Sequence, residues 1–537
     1  MTQPIRGAEI LLRTLARAGT GTIFTLSGNH IMSVFDAAPA AGIELIHTRH
    51  EAAAVHMADA FARLTGQVGV ALVTGGQGHA NAVGALCTAL AGEVPLLLLS
   101  GHAPLAELGL GAFQEIEQAR IAAPLCKASL TLHSAETLAQ DVAAAIRLAR
   151  EGRPGPVHLS LPTDVLDASI TQPEPALDFT PAPQPPGAAA IASIRAALQA
   201  AARPLVLAPP ALCTPTGKHA LAALQSALGV PVLAMESPRG MNDPSLGAFA
   251  EVLAQADVIC LLGKALDFTL RFGKAAPQAQ WLLLEPDAAL IARARKGLGA
   301  KLALAEACAP LAAATRLAAG ISPNPAQAGW LAEVLAATSH RPAAWNDLPQ
   351  DGAIHPVTLL RALAPYLATP DAVLVSDGGE IGQWAQAVLA APTRIINGVA
   401  GAIGPSIPFA MAASRARQNA PVLAVLGDGT CGFHIAEFDT AVRHNLPFVA
   451  VVGNDSRWNA EHQIQLRDFG GRTHGCTLAP ATRYDLAAAA FGAHAEFVER
   501  AEDLAPALAR AFAAGRPALV NVIIAGQPAP VVRRAPG

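Results

Sequence analysis

The stretch that most constrains the fold runs from Gly427-Asp428-Gly429 to Asn454-Asp455. Between them lie an amphipathic segment, 433–445, and the apolar run Leu446-Pro447-Phe448-Val449-Ala450-Val451-Val452-Gly453. The order reads as strand, tight turn, helix, strand and a second polar turn. In a parallel α/β unit both turns fall at the carboxyl ends of their strands, where ligands bind. Asp428 and Asp455, 27 residues apart, then face one site. Two carboxylates and a backbone carbonyl suit a hard cation such as Mg²⁺, with phosphate oxygens completing the octahedron. Glycines beside Asp428 let the backbone approach that phosphate closely. The plain alternative is two ordinary turns of an α/β sheet.

The rest of the chain repeats the alternation of short apolar runs and amphipathic helices. Strands are expected at 22–26, 44–47, 68–74, 95–100 and 157–161, and again at 204–208, 231–234, 258–262 and 281–285. A third set falls at 372–376, 394–396, 422–426, 448–452 and 519–524. A Pro-rich stretch, 171–187, reads as an exposed linker. The expected organisation is three doubly wound parallel-sheet domains, 1–180, 188–330 and 350–537. Gly152-Arg153-Pro154 and Gly515-Arg516-Pro517 each punctuate a helix before a strand, a short internal echo of the first domain in the last.

Composition narrows the class of partner. With 15% charged residues and a net charge of −4, the chain lacks the basic face that nucleic acid requires. The seven cysteines, at 87, 126, 213, 260, 308, 431 and 476, show no CxxC spacing, which fits a reducing compartment and gives no zinc motif. Residues 1–19 read as an amphipathic helix rather than a signal peptide, and no run of ~20 apolar residues marks a membrane span. A cytoplasmic protein without membrane contact is the expectation.

A second constellation is His47-Thr48-Arg49-His50-Glu51, which leaves a strand and opens an Ala-rich helix. Glu51 then sits in the first helical turn, where a carboxylate also suits the helix dipole at ~0.3–1 kcal/mol. Beside the Asp428 motif a catalytic reading gains weight. Over essentially its whole length the chain resembles the acetolactate synthase superfamily of thiamine diphosphate enzymes. The GDG-to-ND interval resembles that family's diphosphate motif, whose usual ending is Asn-Asn. Asp455 stands at the position whose side chain binds the metal, and Asp is a competent Mg²⁺ ligand.

The resemblance implies roles for further residues. Glu51 would hydrogen-bond N1′ of the aminopyrimidine, favouring the imino tautomer whose N4′ removes the thiazolium C2 proton to give the ylide. The protein then supplies orientation and electrostatics while the cofactor carries the chemistry. Thr74, Gly78 and Asn81 belong to a TxGxGxxN segment flanking the cofactor, with Gln77 where Pro is frequent. Asp377-Gly378-Gly379-Glu380 would lie near the diphosphate. In GVAGAIG, 398–404, Gly401 would offer its carbonyl to N4′, followed by Ala402, with Ile403 wedged between the cofactor rings. Gly427, Asp428, Gly429, Thr430, Asn454 and Asp455 would hold diphosphate and Mg²⁺, and Arg457 would add a backbone carbonyl to the metal.

For the substrate, Ser27-Gly28-Asn29-His30 resembles the Gly-x-His turn of benzaldehyde lyase and some 2-hydroxyacyl-CoA lyases. His30 would exchange a proton with the carbinol oxygen, the alternative being a capping or surface histidine. Gln114, in Phe113-Gln114-Glu115, matches a loop that carries a glutamine into the site. Lys127 matches another family position or is a solvated lysine. Asn459, Glu461, His462 and Gln465 would line the substrate pocket.

The 263–273 segment departs from the pattern of flavin-binding acetolactate synthases, making FAD an unexpected cofactor. It looks closer to the lyase branch, in which the middle domain holds the ADP moiety of CoA or an activator. Lys264, Arg271 and Lys274 would meet its phosphates, and Arg533 and Arg534 would close over a CoA phosphate. The expected activity is a thiamine diphosphate- and Mg²⁺-dependent carbon–carbon lyase or carboligase acting on 2-hydroxyacyl-CoA or acyloin-type bonds. The alternatives are acetolactate synthesis from two 2-oxo acids and a non-catalytic cofactor-binding subunit. Because Glu51 and Asp428 lie in different domains, the resemblance implies a homodimer or homotetramer in which two copies complete each site.

Overall fold

A computed structural model describes residues 4–171, 175–348 and 352–534. After the short strand β1 (Ile5–Arg6) come β2 (Thr22–Thr25), β3 (Glu44–His47), β4 (Gly69–Val73), β5 (Leu96–His102), β6 (Ala128–Thr131) and β7 (Pro156–Pro162). These last six form one parallel sheet in the order β3-β2-β4-β5-β7-β6, and β8 (Ser169–Ile170) returns antiparallel to β1. The strands β4, β5 and β7 are buried along their whole length. That is why they read as continuous apolar runs rather than alternating ones.

The middle sheet holds β9 (Pro204–Ala208), β10 (Val232–Ala234), β11 (Val258–Leu262), β12 (Gln280–Leu284) and β13 (Leu302–Glu306), parallel in the order β10-β9-β11-β12-β13. The third holds β14 (Val373–Ser376), β15 (Thr393–Ile396), β16 (Val422–Gly427), β17 (Val449–Asn454), β18 (His494–Val498) and β19 (Ala518–Ile523). Its order, β15-β14-β16-β17-β19-β18, copies the first sheet strand for strand. The two Gly-Arg-Pro punctuations precede β7 and β19, which occupy the same place in their sheets.

The expected strands appear within a residue or two of their expected limits. Those not anticipated in the sheets, β6, β13 and β18, all lie at sheet edges. Being half-buried, they carry polar residues and no long apolar run. The segment 433–445 also differs from the single helix expected. A helix starts at Asp428 itself (Asp428–His434), breaks at Ile435-Ala436 and resumes as Glu437–Arg443.

The first and third domains share a core. Helix Glu51–Thr65 packs along helix Ser406–Ala416, with Ala54, Ala58 and Ala62 in one buried cluster with Phe409, Ala412 and Ala413. Small side chains on both faces let the backbones approach, and Arg63 ties the pair by donating to the Ile396 carbonyl at 3.0 Å. Among the described residues, no helix is long and apolar enough to cross a membrane.

Candidate active site

Functional side chains gather in two places, both at carboxyl ends of parallel strands. The first lies beyond β2, β3 and β4. Glu51 is the first residue of its helix and only 8% exposed. Its Oε2 accepts a hydrogen bond from Asn81 Nδ2 at 3.0 Å. Gly78 lies against the other oxygen, where a Cβ would stand 3.4 Å from Oε1 and 2.7 Å from the Thr74 methyl. Thr74, Gly78 and Asn81 are thus brought round Glu51. Gly28 packs on Thr74 so closely that an added Cβ would approach its side chain to 2.4 Å.

His30 is buried beside this group, its Nδ1 3.2 Å from Thr74 Oγ1 and its ring stacked on Phe113 at 5.9 Å. Burial pulls its pKa below the ordinary histidine value; the Phe113 backbone opposes this and nearby His102 adds to it. The shift favours the neutral ring, which can take up a proton. Gln114 adopts φ +57° with its backbone against Gly76, which itself has φ +62°. A side chain at Gly76 would meet the Gln114 carbonyl at 2.6 Å.

Sequence reasoning missed the residue that fixes this turn. Gln118 is 1% exposed; its Oε1 accepts from the Gly76 N–H at 2.9 Å. Its Nε2 donates to the Gly101 carbonyl at 3.1 Å and Ser160 Oγ at 3.0 Å. A lone glutamine 42 residues away carries no periodic or spacing signal.

The second place is a cavity of about 200 Å³ beyond β14, β16 and β17. Gly378, Gly379, Glu380, Gly401, Ile403, Gly427, Asp428, Gly429, Thr430, Asp455 and Arg457 line it, with Trp458 and the middle domain's Arg239. Asp428 accepts from the Gly429 N–H at 2.9 Å and the Arg457 N–H at 3.1 Å, which draws the 455–457 turn over the GDG turn. Burial raises the Asp428 pKa to about 6 despite those bonds. Asp455 rises to about 7, through burial and then the Asp428 charge, with Arg457 opposing. Two buried carboxylates that repel each other are suited to a cation, although among the described residues no group of three or more acid, histidine or cysteine side chains is placed to hold a metal. The oxygen donor set fits Mg²⁺ with phosphate oxygens supplying the remaining ligands.

Glycine is required at 429, where a Cβ would stand 2.7 Å from the Trp458 ring. Thr430 bridges the turn, its Oγ1 donating to the Gly427 carbonyl at 3.0 Å. Buried Asp377 holds the facing loop: it accepts from the Gly404 N–H at 3.0 Å and Ser406 Oγ at 2.6 Å. That bracing brings Ile403 onto Gly378, where a Cβ would clash at 2.8 Å. Glu380, its pKa raised by burial, accepts from Gln383 Nε2 at 2.9 Å.

Several expected contacts are not made. The Asn454 amide donates to the Thr482 carbonyl and Asn521 Oδ1, both at 3.2 Å, and its oxygen caps Ser456, so it shapes the turn and is off the cavity wall. Ala402 is also off the wall, its carbonyl bound by Asn397 Nδ2 at 2.8 Å. Lys264, expected on a surface loop, is 2% exposed and donates to Asp267 at 2.9 Å, so no phosphate can reach it. Arg534 is held by Glu251 at 2.8 Å and by Glu333. Lys127 donates to the Glu151 carbonyl, and burial lowers its pKa to about 8. Arg271, Lys274 and Arg533 are exposed.

Fold and site together define an α/β protein whose third domain carries, at the carboxyl ends of its strands, a glycine-lined cavity with two buried carboxylates. The chain belongs to the thiamine pyrophosphate enzymes. Family models of their N-terminal and C-terminal TPP binding domains match residues 5–121 and 377–522. The acetolactate synthase large subunit IlvG of Mycobacterium tuberculosis is 32% identical over 533 residues, covering 97% of this chain and 96% of that protein. The 2-hydroxyacyl-CoA lyase 2 of Homo sapiens is 31% identical, covering 92% and 85%; that of Caenorhabditis elegans is 30% identical, covering 96% and 89%. The chain is thus a thiamine diphosphate-dependent enzyme of the group containing acetolactate synthases and 2-hydroxyacyl-CoA lyases.

Proposed function

We propose that this enzyme is a thiamine diphosphate- and Mg²⁺-dependent lyase or carboligase that breaks or makes the carbon–carbon bond beside a hydroxyl, in 2-hydroxyacyl-CoA or acyloin-type substrates. The observation that carries this reading is the buried His30, anchored to Thr74 in the group that surrounds Glu51. Cleavage beside a carbinol carbon requires a base for the hydroxyl proton, and the reverse reaction requires the proton back. A histidine of lowered pKa does both near neutral pH.

Thiamine diphosphate, when bound, supplies the carbon nucleophile and the electron sink. Asp428, Asp455 and the Arg457 carbonyl would hold the cation that anchors its diphosphate. Glu51, kept in place by Asn81, would hold the proton at the aminopyrimidine ring nitrogen. Ile403, braced on Gly378, would support the cofactor from below. The cavity walls come from the third domain and Arg239, and among the described residues none from the first domain lines it. A second copy of the chain would bring the missing Glu51, making a homodimer the smallest working unit.

The alternative is acetolactate synthesis from two 2-oxo acids, favoured by the 32% identity to the mycobacterial protein. A product panel on reconstituted enzyme separates the two: pyruvate alone, formyl-CoA with aldehydes, and a 2-hydroxyacyl-CoA, read by mass spectrometry. Aldehyde released from the hydroxyacyl-CoA is the expected result. Acetolactate from pyruvate with no aldehyde release would overturn the lyase reading.

A further inference from the structure

We propose that Glu437 is a positioning residue for Glu51, holding from the third domain the backbone turn on which Glu51 stands. This rests on the reading of Glu51 as the carboxylate that works on the cofactor.

The turn Thr48-Arg49-His50 joins β3 to helix Glu51–Thr65. The Thr48 N–H donates to the Thr25 carbonyl at 2.8 Å. His50 caps the helix by accepting from the Ala52 N–H at 3.1 Å. The Arg49 N–H donates instead to both oxygens of Glu437, at 3.0 and 3.1 Å. Glu437 is 1% exposed, and Thr440 Oγ1 donates to its Oε2 at 2.6 Å. The end of that helix and the residue after it also hold the last residue of β3. Arg443 Nη2 donates to the His47 carbonyl at 2.7 Å, and His444 Nε2 accepts from the His47 N–H at 3.1 Å. Glu437 thus meets the backbone just ahead of a 15-residue helix; burial raises its pKa to about 7, while the Thr440 hydroxyl and the Arg49 amide oppose this by bonding its charged form. Only His50 lies between the clamped Arg49 and Glu51, so the clamp sets the backbone from which the Glu51 side chain departs. Misplacing a catalytic group by about 1 Å is enough to slow chemistry on the order of a hundredfold.

The test compares wild type with Glu51→Gln, Glu437→Gln, Thr440→Val and the Glu51→Gln/Glu437→Gln double variant. Backbone amide exchange over residues 47–53 is measured on protein without cofactor. With thiamine diphosphate and Mg²⁺, three quantities are measured: the cofactor dissociation constant, the melting temperature, and deuterium exchange at the cofactor's C2 carbon by quench and NMR. Glu437→Gln should speed amide exchange in that segment, leave cofactor affinity within about twofold and slow C2 exchange about tenfold. In the Glu51→Gln background it should add less than about twofold, because the two act through one group. Thr440→Val, which leaves Glu437 in place, should shift both exchange rates the same way by less, and it carries the test if Glu437→Gln does not fold. Unchanged C2 exchange in both clamp variants, or full multiplication of effects in the double variant, would overturn the positioning role while leaving Glu51 as read. Normal C2 exchange in Glu51→Gln would sink the reading of Glu51 and the clamp with it.

Discussion

Asp455→Asn tests whether the two carboxylates of the cavity are built for a cation. In the metal-free protein, burial and the Asp428 charge raise the Asp455 pKa to about 7, and burial raises Asp428 to about 6. Both exceed the ordinary aspartate value of ~4 that the unfolded chain keeps. Between those limits the folded state binds more protons than the unfolded one, so stability falls as pH climbs from ~4 through ~7. At about 1.4 kcal/mol per pH unit, holding Asp455 ionised at pH 8 costs roughly 2–4 kcal/mol, the lower figure applying when the repulsion is shared with Asp428. Asparagine has nearly the same shape, keeps an oxygen ligand and removes the charge. Metal-free Asp455→Asn should therefore melt on the order of 2–4 °C above wild type at pH 8, and the two should converge towards pH ~4. Mg²⁺ should raise the wild-type melting temperature more than the variant's at pH 8, and barely move either at pH 5, where protons compete. Differential scanning fluorimetry across that pH range with and without Mg²⁺ reads all four conditions. Equal melting of the metal-free proteins at pH 8, or a wild-type Mg²⁺ shift that ignores pH, would refute the reasoning.

Glu51→Gln should abolish turnover while preserving cofactor binding, seen as a normal thermal shift on adding thiamine diphosphate and Mg²⁺; normal turnover would sink the role given to Glu51. Asp428→Ala should lose the thermal shift with either ligand, since it removes a cation ligand and the bond that holds the Arg457 amide. Gly429→Ala should weaken cofactor binding about tenfold or more, because its methyl must displace the Trp458 ring, and titration calorimetry measures this. Gln118→Leu should cost roughly 1–3 kcal/mol in denaturant unfolding, leaving the Gly76 N–H without its acceptor and removing the bonds to the Gly101 carbonyl and Ser160 Oγ.

What the sequence disclosed followed the length scale of each signal. Buried parallel strands are continuous apolar runs, so β4, β9, β11 and β16 are legible, whereas the half-buried edge strands β6, β13 and β18 are not. Asp428 and Asp455 could be paired because a strand, a helix and a turn separate them in a fixed rhythm. Partners brought together by tertiary packing leave no such rhythm. Gln118 beneath Gly76, Asp377 beneath the 401–403 loop, and Glu437 on the Arg49 amide were all invisible in advance. The basic residues were misread for a related reason. Composition shows that Lys264 and Arg534 are cations, but only the fold shows Asp267, Glu251 and Glu333 already holding them. Asn454 sits in the right motif, yet its amide is turned to Asn521, which only the β17–β19 pairing brings near.

The central claim is that Glu51 and Asp428 serve one active site supplied by two copies of the chain. Co-expressing Glu51→Gln and Asp428→Ala chains with different tags, and assaying the purified mixed species, tests it most directly. Each variant alone should be inactive. In a mixed dimer one site carries both defects and the other carries neither, so half of its sites should work. The purified mixed dimer should then show about half of wild-type turnover. Mixed dimers that form yet remain as inactive as either parent would contradict the account, placing both groups of each site on a single chain.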